Sequence, residues 1–221
     1  METTAQTVHR IPIFSDLPDG EINPLAEVAI RRTYRPGEIV IFEGDPCQEV
    51  YFILQGRVHI YRLSFAGRRQ ILARLGPGQA FNTAVSLRSN STNSATAEAV
   101  SPLTLYAVPN ADFHLVLAEC PAFTLAVLRD LAARLGHLND LVADLSLRTV
   151  RGRLARFLLE SAEMDTVTSR WTQDEIAACV GTVRDMVGRT LRAFADAGLV
   201  KMERQRIVLL DREGLEAELQ R

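Results

Sequence analysis

The chain has 221 residues and a formal net charge of −2, with 47% hydrophobic and 24% charged residues. These proportions are typical of a globular protein, and the charge excludes a polycation that binds nucleic acid through bulk charge alone. No apolar run approaches the roughly 20 residues of a membrane-spanning helix, and the N-terminus lacks the basic and apolar regions of a secretory signal. We therefore expect a cytoplasmic protein with no membrane partner.

The first 121 residues predict a barrel of short strands. Residues 12–30 predict a helical element broken by Pro18 and Pro24. Residues 34–108 then contain β-branched or aromatic runs separated by glycine turns: EIVIFEGD, EVYFIL, RVHIYRL, QILARL, SATAEA and LTLYAV. Such regularly spaced runs indicate a β-barrel or sandwich, which we assign to residues 1–121.

A helical period begins after the last strand. Asn110 or Asp112 can cap a short helix that ends near Pro121, and residues 122–147 predict a long helix. Its apolar residues form an a/d seam: Leu128, Leu131, Leu135, Leu138, Val142 and Leu145. Three more residues widen the stripe, so that one flank can rest on the barrel: Leu125, Ala132 and Leu141. We favour a two-stranded parallel coiled coil, and hence a homodimer, over simple core packing.

The segment from Trp171 to Val200 predicts a helix-turn-helix, which follows a helix over residues 149–163. Thr172 and Glu175 form a capping box, and Gly181 stands where a tight turn needs a left-handed residue. A second capping box is predicted ten residues after the first, from Thr182 and Asp185. The residues expected to face the core are Ile176, Ala177, Val180, Val183, Val187, Leu191 and Phe194.

The opposite surface of the second predicted helix carries Arg184, Asp185, Gly188, Arg189 and Arg192. Arginine can donate two hydrogen bonds to a guanine edge, and a carboxylate can accept one from cytosine. Gly188 is expected to allow a close approach to the DNA backbone. The alternative, without DNA binding, is a solvent-exposed helix whose arginines form ion pairs with acidic residues.

The residues after this helix, GLVKMERQRIVLLD, predict a β-hairpin wing. Lys201, Arg204 and Arg206 lie on it and are expected to contact phosphates. Residues 148–210 contain 11 basic and 8 acidic residues, which favours DNA binding modestly.

Three barrel segments, RPGEIVIFEGD, VYFILQGRVHIYR and LGPGQAF, resemble the cyclic-nucleotide-binding β-barrel. With the long helix and EIAACVGTVRDMVGRTLRAFADAGLV, residues 12–210 are similar to the CRP/FNR superfamily of bacterial transcription regulators. The resemblance implies an α+β fold: a double-stranded β-helix or jelly-roll barrel, a dimerisation helix over 122–147, and a winged helix-turn-helix over 148–221. It also implies RNA polymerase as a partner.

By the same resemblance, Arg184, Asp185 and Arg189 fall on the three base-reading positions of the family. The cyclic-AMP branch has Arg, Glu and Arg there and reads a TGTGA-type half-site, so the shorter Asp185 makes its cytosine contact less certain. Thr172 and the wing are implied to touch phosphates. Thr182 and Arg192 complete the predicted set for double-stranded DNA.

The segment Gly78–Ala99 aligns with the phosphate-binding cassette of the cyclic-nucleotide branch. The Gly-Glu positions of that cassette are occupied by Asn82 and Thr83, and its Arg-Ser positions by Asn93 and Ser94. Both charged groups are missing, and an unpaired buried anion costs several kcal/mol. We therefore predict no useful cyclic-AMP binding.

Two interpretations of this cassette stay open: a pocket for a less charged effector, or a filled, vestigial site. The pocket would be lined by Phe81, Asn82, Thr83, Asn93 and Ser94, and covered by Leu138 and Asn139. The vestigial alternative predicts an effector-independent regulator that is controlled by its expression level.

Other sensory chemistry has little support. The chain has three cysteines, Cys47, Cys120 and Cys179, and no two of them form a C-x-x-C motif. No cysteine precedes residue 47, so neither a zinc site nor an N-terminal iron–sulfur cluster is predicted. We expect ordinary buried thiols, although oxidation of Cys179 near the reading helix could disturb binding. Haem is an alternative for which candidates exist by residue type only: His9, His59, His114 and His137. No cofactor and no metal site is predicted.

Two other functional classes compete with a regulator. A sensor that acts on something other than DNA would have no use for the predicted base-reading residues. An enzyme is disfavoured because the chain has no Walker A loop, GxSxG elbow or HExxH motif. The prediction is a homodimeric, sequence-specific transcription regulator that binds a pseudo-palindromic DNA site.

Overall fold

The computed structural model describes residues 19–88, 92–164, 171–203 and 206–219. In chain order the elements are α1 (Asp19–Val28), β1 (Ile30–Tyr34), β2 (Ile39–Ile41), β3 (Glu49–Gln55), β4 (Val58–Leu63), β5 (Arg69–Leu75), β6 (Ala80–Phe81), α2 (Thr83–Ser86), β7 (Thr96–Ala99), β8 (Leu103–Pro109), α3 (Asn110–Glu119), α4 (Pro121–Leu147), α5 (Val150–Met164), α6 (Gln173–Val180), α7 (Arg184–Asp196), β9 (Val200–Glu203), β10 (Arg206–Leu209) and α8 (Arg212–Glu218). Two compact units emerge: residues up to Arg62 with Leu72–Gly136, and Leu63–Ile71 with the chain from His137 onward.

Two four-stranded sheets form the N-terminal fold, with strand orders β1-β8-β3-β6 and β2-β7-β4-β5. Strand β8 is antiparallel to both β1 and β3, and β7 is antiparallel to both β2 and β4. Alternation along β8 sends Leu105 into the core shared by the two sheets and Val108 into a second core. Helices α1 and α3 and the start of α4 cover that second core, whose largest buried side chains include Phe113 and Phe123.

This jelly-roll, with the long helix and the helix-turn-helix, confirms the predicted α+β class. The predicted domain boundaries at residues 121 and 147 stay a prediction. Strands β1 and β6 and helix α2 were not predicted, because IRRTY carries two arginines and the other two elements are too short to show a period.

Two local predictions about helix ends were wrong. Pro24 lies inside α1 and does not break it, while residues 12–18 and Pro18 lie outside the described residues. Neither Asn110 nor Asp112 caps α3: its N-cap is Pro109, and no side chain bonds the first turn. The Asn110 amide instead donates to the Cys47 carbonyl oxygen at 2.6 Å. The Asn110 side chain, which the sequence predicted to cap α3, therefore makes a tertiary hydrogen bond instead.

The C-terminal unit packs α5, α6 and α7 with the antiparallel β9–β10 hairpin and α8 around one core. The N-cap of helix α8 is Asp211, whose side chain accepts from the Gly214 amide at 2.9 Å. A two-pronged pair between Arg151 and the buried Glu218 joins α8 to α5. These contacts give the helix-turn-helix a rigid support.

Within the described residues, no single helix has both the length and the apolar character needed to cross a membrane. The bent pair α3 and α4, which meet at 114°, passes that test only when the two helices are taken together.

Candidate nucleic-acid interface

Helix α6 begins with the capping box that the sequence predicted. Thr172 Oγ1 accepts from the Glu175 amide at 3.2 Å, and the Glu175 carboxylate accepts from the Thr172 amide at 2.8 Å. The Thr172 and Glu175 amides, which have no partner within the helix, therefore both donate to side chains of the capping box. The predicted inner face is also confirmed, since Ile176, Ala177 and Val180 are buried.

The turn between α6 and α7 combines a left-handed glycine with a hydrogen bond from α5. Gly181 has φ 71° and ψ 45°, a left-handed conformation that glycine adopts without a steric penalty, as predicted. Arg153 of α5 donates to the Val180 carbonyl at 2.8 Å and to the Arg148 carbonyl at 2.9 Å. Burial lowers the pKa of the Arg153 guanidinium, with Asp144 acting in the opposite sense. Sequence reasoning missed Arg153 because its acceptors are backbone carbonyl oxygens, one of them 27 residues away in the chain.

The inner face of α7 anchors the helix in the core. Val187, Leu191 and Phe194 are fully buried, as predicted, whereas Val183 is half exposed and is not a core residue. Val183 is instead the N-cap of α7, and no side chain bonds the first turn. The predicted second capping box of Thr182 and Asp185 was therefore wrong.

The outer face of α7 presents charged side chains to solvent. The side chains of Arg184, Asp185 and Arg189 are 69%, 71% and 62% exposed. Arg189 pairs with Asp185 at 2.7 Å, and Arg184 lies 3.5 Å from the Asp174 carboxylate of α6. Arg192 is also exposed, and its Nε donates to the Gly188 carbonyl at 3.2 Å. One surface therefore brings together the four charged residues predicted for α7.

Two residues assigned to this surface are placed differently. Gly188 is buried, and a Cβ there would lie 3.1 Å from Gln173 Oε1 of α6, so a side chain at this position would crowd Gln173, while its close approach to the DNA backbone stays a prediction. Thr182 is buried too, and its amide donates to the Ala177 carbonyl at 3.0 Å, which leaves its side chain little surface for a DNA contact. The burial of Gly188 and of Thr182 follows from the close crossing of α6 and α7.

The wing is a hairpin in which Val200 pairs with Leu209 and Glu203 with Arg206. Lys201 is exposed and lies 3.1 Å from Glu203, and Arg206 is exposed. Arg204 lies outside the described residues. The hairpin itself is thus confirmed, while its phosphate contacts stay a prediction.

The predicted cassette positions Asn82 and Asn93 meet inside the barrel unit. Asn82 Nδ2 lies 3.0 Å from Asn93 Oδ1, 3.0 Å from the Glu49 carbonyl oxygen and 3.1 Å from Cys47 Sγ. Asn93 is buried and donates to the Phe42 carbonyl at 3.2 Å. Asn82 also has φ 69°, the left-handed conformation expected where the family has glycine.

The other predicted pocket residues differ in burial. Phe81 is buried and stacks on Tyr51 with ring centroids 4.8 Å apart, and Thr83 is buried at the start of α2. Burial also raises the pKa of the Tyr51 phenol well above its usual value. Ser94 is exposed on its loop, and Leu138 and Asn139 are exposed on α4. The effector pocket stays a prediction.

Comparison with known proteins agrees with this geometry. Residues 31–120 match the cyclic nucleotide-binding domain, and residues 152–218 match the Crp-like helix-turn-helix domain. A CRP-like cAMP-activated global transcriptional regulator of Mycobacterium tuberculosis is 30% identical over 207 residues, which cover 88% of this chain and 92% of the relative. The chain belongs to the CRP/FNR family of transcription regulators.

Two further members place this CRP/FNR regulator among proteins of similar length. The cyclic AMP receptor protein of Thermus thermophilus is 33% identical over 195 residues, covering 86% of this chain and 88% of the relative. The solved structure of FixK2 from Bradyrhizobium japonicum superposes with a TM-score of 0.73 at 27% identity, covering 86% and 96%. The family consists of transcription regulators and not of enzymes, as the sequence predicted.

The long helix of this CRP/FNR regulator leaves most of its apolar seam uncovered by its own chain. Leu135 and Val142 are 61% and 62% exposed, and Leu128, Leu138 and Leu145 are exposed as well. Leu131 is partly buried against the core that contains Phe123. Leu131 therefore serves the barrel core, while the other five seam side chains are exposed within the part of the chain that the structure describes.

The cysteines and histidines are separated from one another. Cys120 is buried, while Cys47 and Cys179 are half-buried. His59 is buried on β4, His114 Nε2 lies 2.9 Å from the Ser86 carbonyl oxygen, and His137 is exposed on α4. His9 lies outside the described residues, among which no group of three or more His, Cys, Asp or Glu could hold a metal ion.

Proposed function

We propose that this CRP/FNR regulator is a homodimer that binds a pseudo-palindromic DNA site through α7. The observation that carries the proposal is the two-sided character of this helix. Its inner face is fully buried at Val187, Leu191 and Phe194, while Arg184, Asp185 and Arg189 are exposed on its outer face. Because its inner face is buried, the helix backbone is already ordered before DNA binds, and only the outer side chains must be ordered in a major groove.

The base contacts follow from side-chain chemistry. Arg184 and Arg189 are proposed to donate to guanine O6 and N7, and Asp185 to accept from cytosine N4. Arg192, Lys201, Arg206 and Thr172 are proposed to contact phosphates at the edges of the reading surface. Arg204 belongs to the same wing by sequence, and Thr182 contributes least because it is buried.

The exposed seam of α4 supports the homodimer. Fully burying one leucine side chain is worth about 1.5–3 kcal/mol, so covering several of them with a second copy supplies a strong driving force. Two reading heads related by two-fold symmetry would enter successive major grooves about 34 Å apart, which is why we propose a pseudo-palindrome. RNA polymerase contact and a cytoplasmic location are proposed by analogy with the family.

We further propose that cyclic AMP does not activate this protein, although several relatives are named for that response. Asn93 is already satisfied by Asn82 and by the Phe42 carbonyl. No cationic side chain occupies the two cassette positions that the sequence aligns with an arginine and a serine. The lack of a cation disfavours a charged ligand, and because Asn93 is paired within the chain we propose the filled cassette, with effector-independent DNA binding, over a pocket for a less charged effector.

Random-sequence selection followed by gel shift tests the proposal on the full-length protein. We expect wild type to recover a pseudo-palindrome and to bind it equally with and without cyclic AMP. Failure to enrich any sequence under either condition would overturn DNA recognition. Binding that appears only with micromolar cyclic AMP would overturn the filled cassette and leave DNA recognition intact.

The dimer is tested by analytical ultracentrifugation of Leu135→Glu, which places a charge in the seam. We expect the variant to sediment as a monomer and to lose operator binding, since a single reading head forfeits the second half-site. Ala133→Glu is the matched control, because Ala133 is exposed on α4 outside the seam. A monomeric wild type would refute the dimer directly.

A further inference from the structure

We propose that Val183 is a specificity-determining residue that reads a thymine through its C5 methyl group; this rests on the function proposed above. Val183 comes directly before Arg184 and Asp185, two of the residues proposed to read bases. It is 49% exposed, although its spacing in the sequence predicted a core residue. Among the described residues of α6, the turn and α7, it is the one large apolar side chain that is exposed. Val183 therefore gives a charged surface one apolar contact.

The backbone explains why Val183 leaves the core. A repeat of four residues would place it on the inner face of α7 with Val187 and Leu191. Val183 is instead the N-cap, with φ −110° and ψ 152°, so its extended backbone interrupts the helical period. Its side chain therefore departs from the inner face, while Val187 and Leu191 stay fully buried.

The exposed side chain is nonetheless held in place. The Val183 carbonyl accepts from the Met186 amide at 3.1 Å and from the Val187 amide at 3.2 Å, so the first turn of α7 fixes its backbone. The two γ-methyl groups on Cβ restrict rotation about the Cα–Cβ bond. An apolar contact made by Val183 therefore costs little conformational entropy.

The place of Val183 on α7 puts it among the residues that can reach base edges. In helix-turn-helix proteins the N-terminal residues of the second helix contact bases in the major groove. Here Val183, Arg184 and Asp185 are exposed at that end. Consecutive Cα atoms are about 3.8 Å apart and stacked base pairs about 3.4 Å, so neighbouring residues can meet neighbouring base pairs. We expect Val183 to face the base pair beside the one that Arg184 reads.

The chemistry of the major groove identifies the base. The valine side chain neither donates nor accepts a hydrogen bond, so placing it against a polar base edge removes water without replacing the lost hydrogen bonds. The C5 methyl of thymine is the apolar group that base edges present in this groove. Cytosine has no methyl group there and presents an amino group. Val183 therefore favours thymine over cytosine, through a contact that its two charged neighbours do not make.

The test removes the methyl group from the DNA. Each thymine in one half-site of the selected operator is replaced in turn by deoxyuridine, which lacks only the C5 methyl. Affinities of the full-length protein are measured by fluorescence anisotropy. We expect wild type to lose roughly three- to fivefold in affinity at one thymine, the size of one buried methyl group. The absence of any such thymine would overturn the inference.

Two variants assign the effect to Val183. In Val183→Ala the same replacement should no longer change affinity, because the γ-methyl groups that touch the thymine are gone. Val183→Ser should behave likewise, and serine is a preferred N-cap residue that preserves the start of α7 if the alanine variant fails to fold. Met202→Ala removes an exposed apolar side chain of the wing and should keep the wild-type response to deoxyuridine. A response that persists in Val183→Ser would assign the methyl contact to another group and overturn the inference.

Failure of this inference is distinguishable from failure of the proposed function. A wild type that selects no operator refutes DNA recognition before any thymine is replaced. A wild type that selects a pseudo-palindrome but tolerates deoxyuridine at every position refutes the role of Val183 and leaves DNA recognition intact.

Discussion

The barrel cassette and the reading helix place polar side chains in opposite ways. In the cassette, Asn82 and Asn93 point at each other and at backbone carbonyls, so their hydrogen bonds are made within the chain. On α7, Arg184 and Arg189 point outward and pair only with exposed acids. The first arrangement stabilises the fold, while the second keeps its strongest donors available to a ligand.

This contrast matters because both regions belong to domains that recognise phosphate-bearing ligands elsewhere in the family. A buried polar group costs free energy unless it is hydrogen-bonded. Side chains that already hydrogen-bond within the protein therefore gain little free energy by binding a ligand. An exposed ion pair is worth little and is readily exchanged for better hydrogen bonds. The position of a polar residue therefore predicts its use better than its chemical type does.

The largest expected effect comes from the inner face of α7. Phe194→Ala should lower the free energy of unfolding by about 3–5 kcal/mol, because Phe194 is fully buried in the core of the C-terminal unit. Chemical denaturation measures the loss. The exposed Met202→Ala on the wing is the control and should change stability by less than about 0.5 kcal/mol. A loss at Phe194 no larger than that at Met202 would contradict the burial of Phe194 in this core.

The cassette should behave like the inner face of α7 and not like its outer one. Asn93→Ala should cost about 1–3 kcal/mol of unfolding free energy, since the Phe42 carbonyl loses its donor and Asn82 loses an acceptor. Its neighbour Ser94 is exposed, so Ser94→Ala should be nearly neutral. A stable Asn93→Ala protein with altered operator affinity would show that the cassette is functional and not merely structural.

On the outer face, Arg189→Ala should leave stability unchanged. It should cost about 1–3 kcal/mol of binding free energy on the operator and relax the preference at one base pair. Gel shifts on single-base operator variants measure both. Equal losses on operator and scrambled DNA would remove Arg189 from direct readout.

The smallest effect is expected from the wing. Arg206→Ala should weaken binding to all sequences alike and reduce the slope of log affinity against log salt by roughly one. A salt series on operator and scrambled duplexes measures this slope. An effect confined to the operator would make Arg206 a base-reading residue.

Predictions from the sequence were correct where the interacting residues lie close together in the chain, and they failed or were missed where the partner lies elsewhere. The α6 capping box and Gly181 were predicted correctly because their partners lie within a few residues in the chain. The Thr182 capping box failed because the N-cap of α7 is Val183, one residue later than the predicted Thr182. The role of Arg153 was not predicted, because the groups that accept its hydrogen bonds are backbone carbonyls, which leave no sequence signal.

The sequence by itself determined the class of fold, the long helix with its apolar seam and the presence of a helix-turn-helix. Those features depend on periodicity and on turn residues, which are written into short stretches of chain. Only the tertiary structure decided that Asn82 meets Asn93, that Gly188 admits Gln173 and that Asp174 lies beside Arg184. Those contacts join segments 10 or more residues apart, and close packing of helices and loops sets their distances.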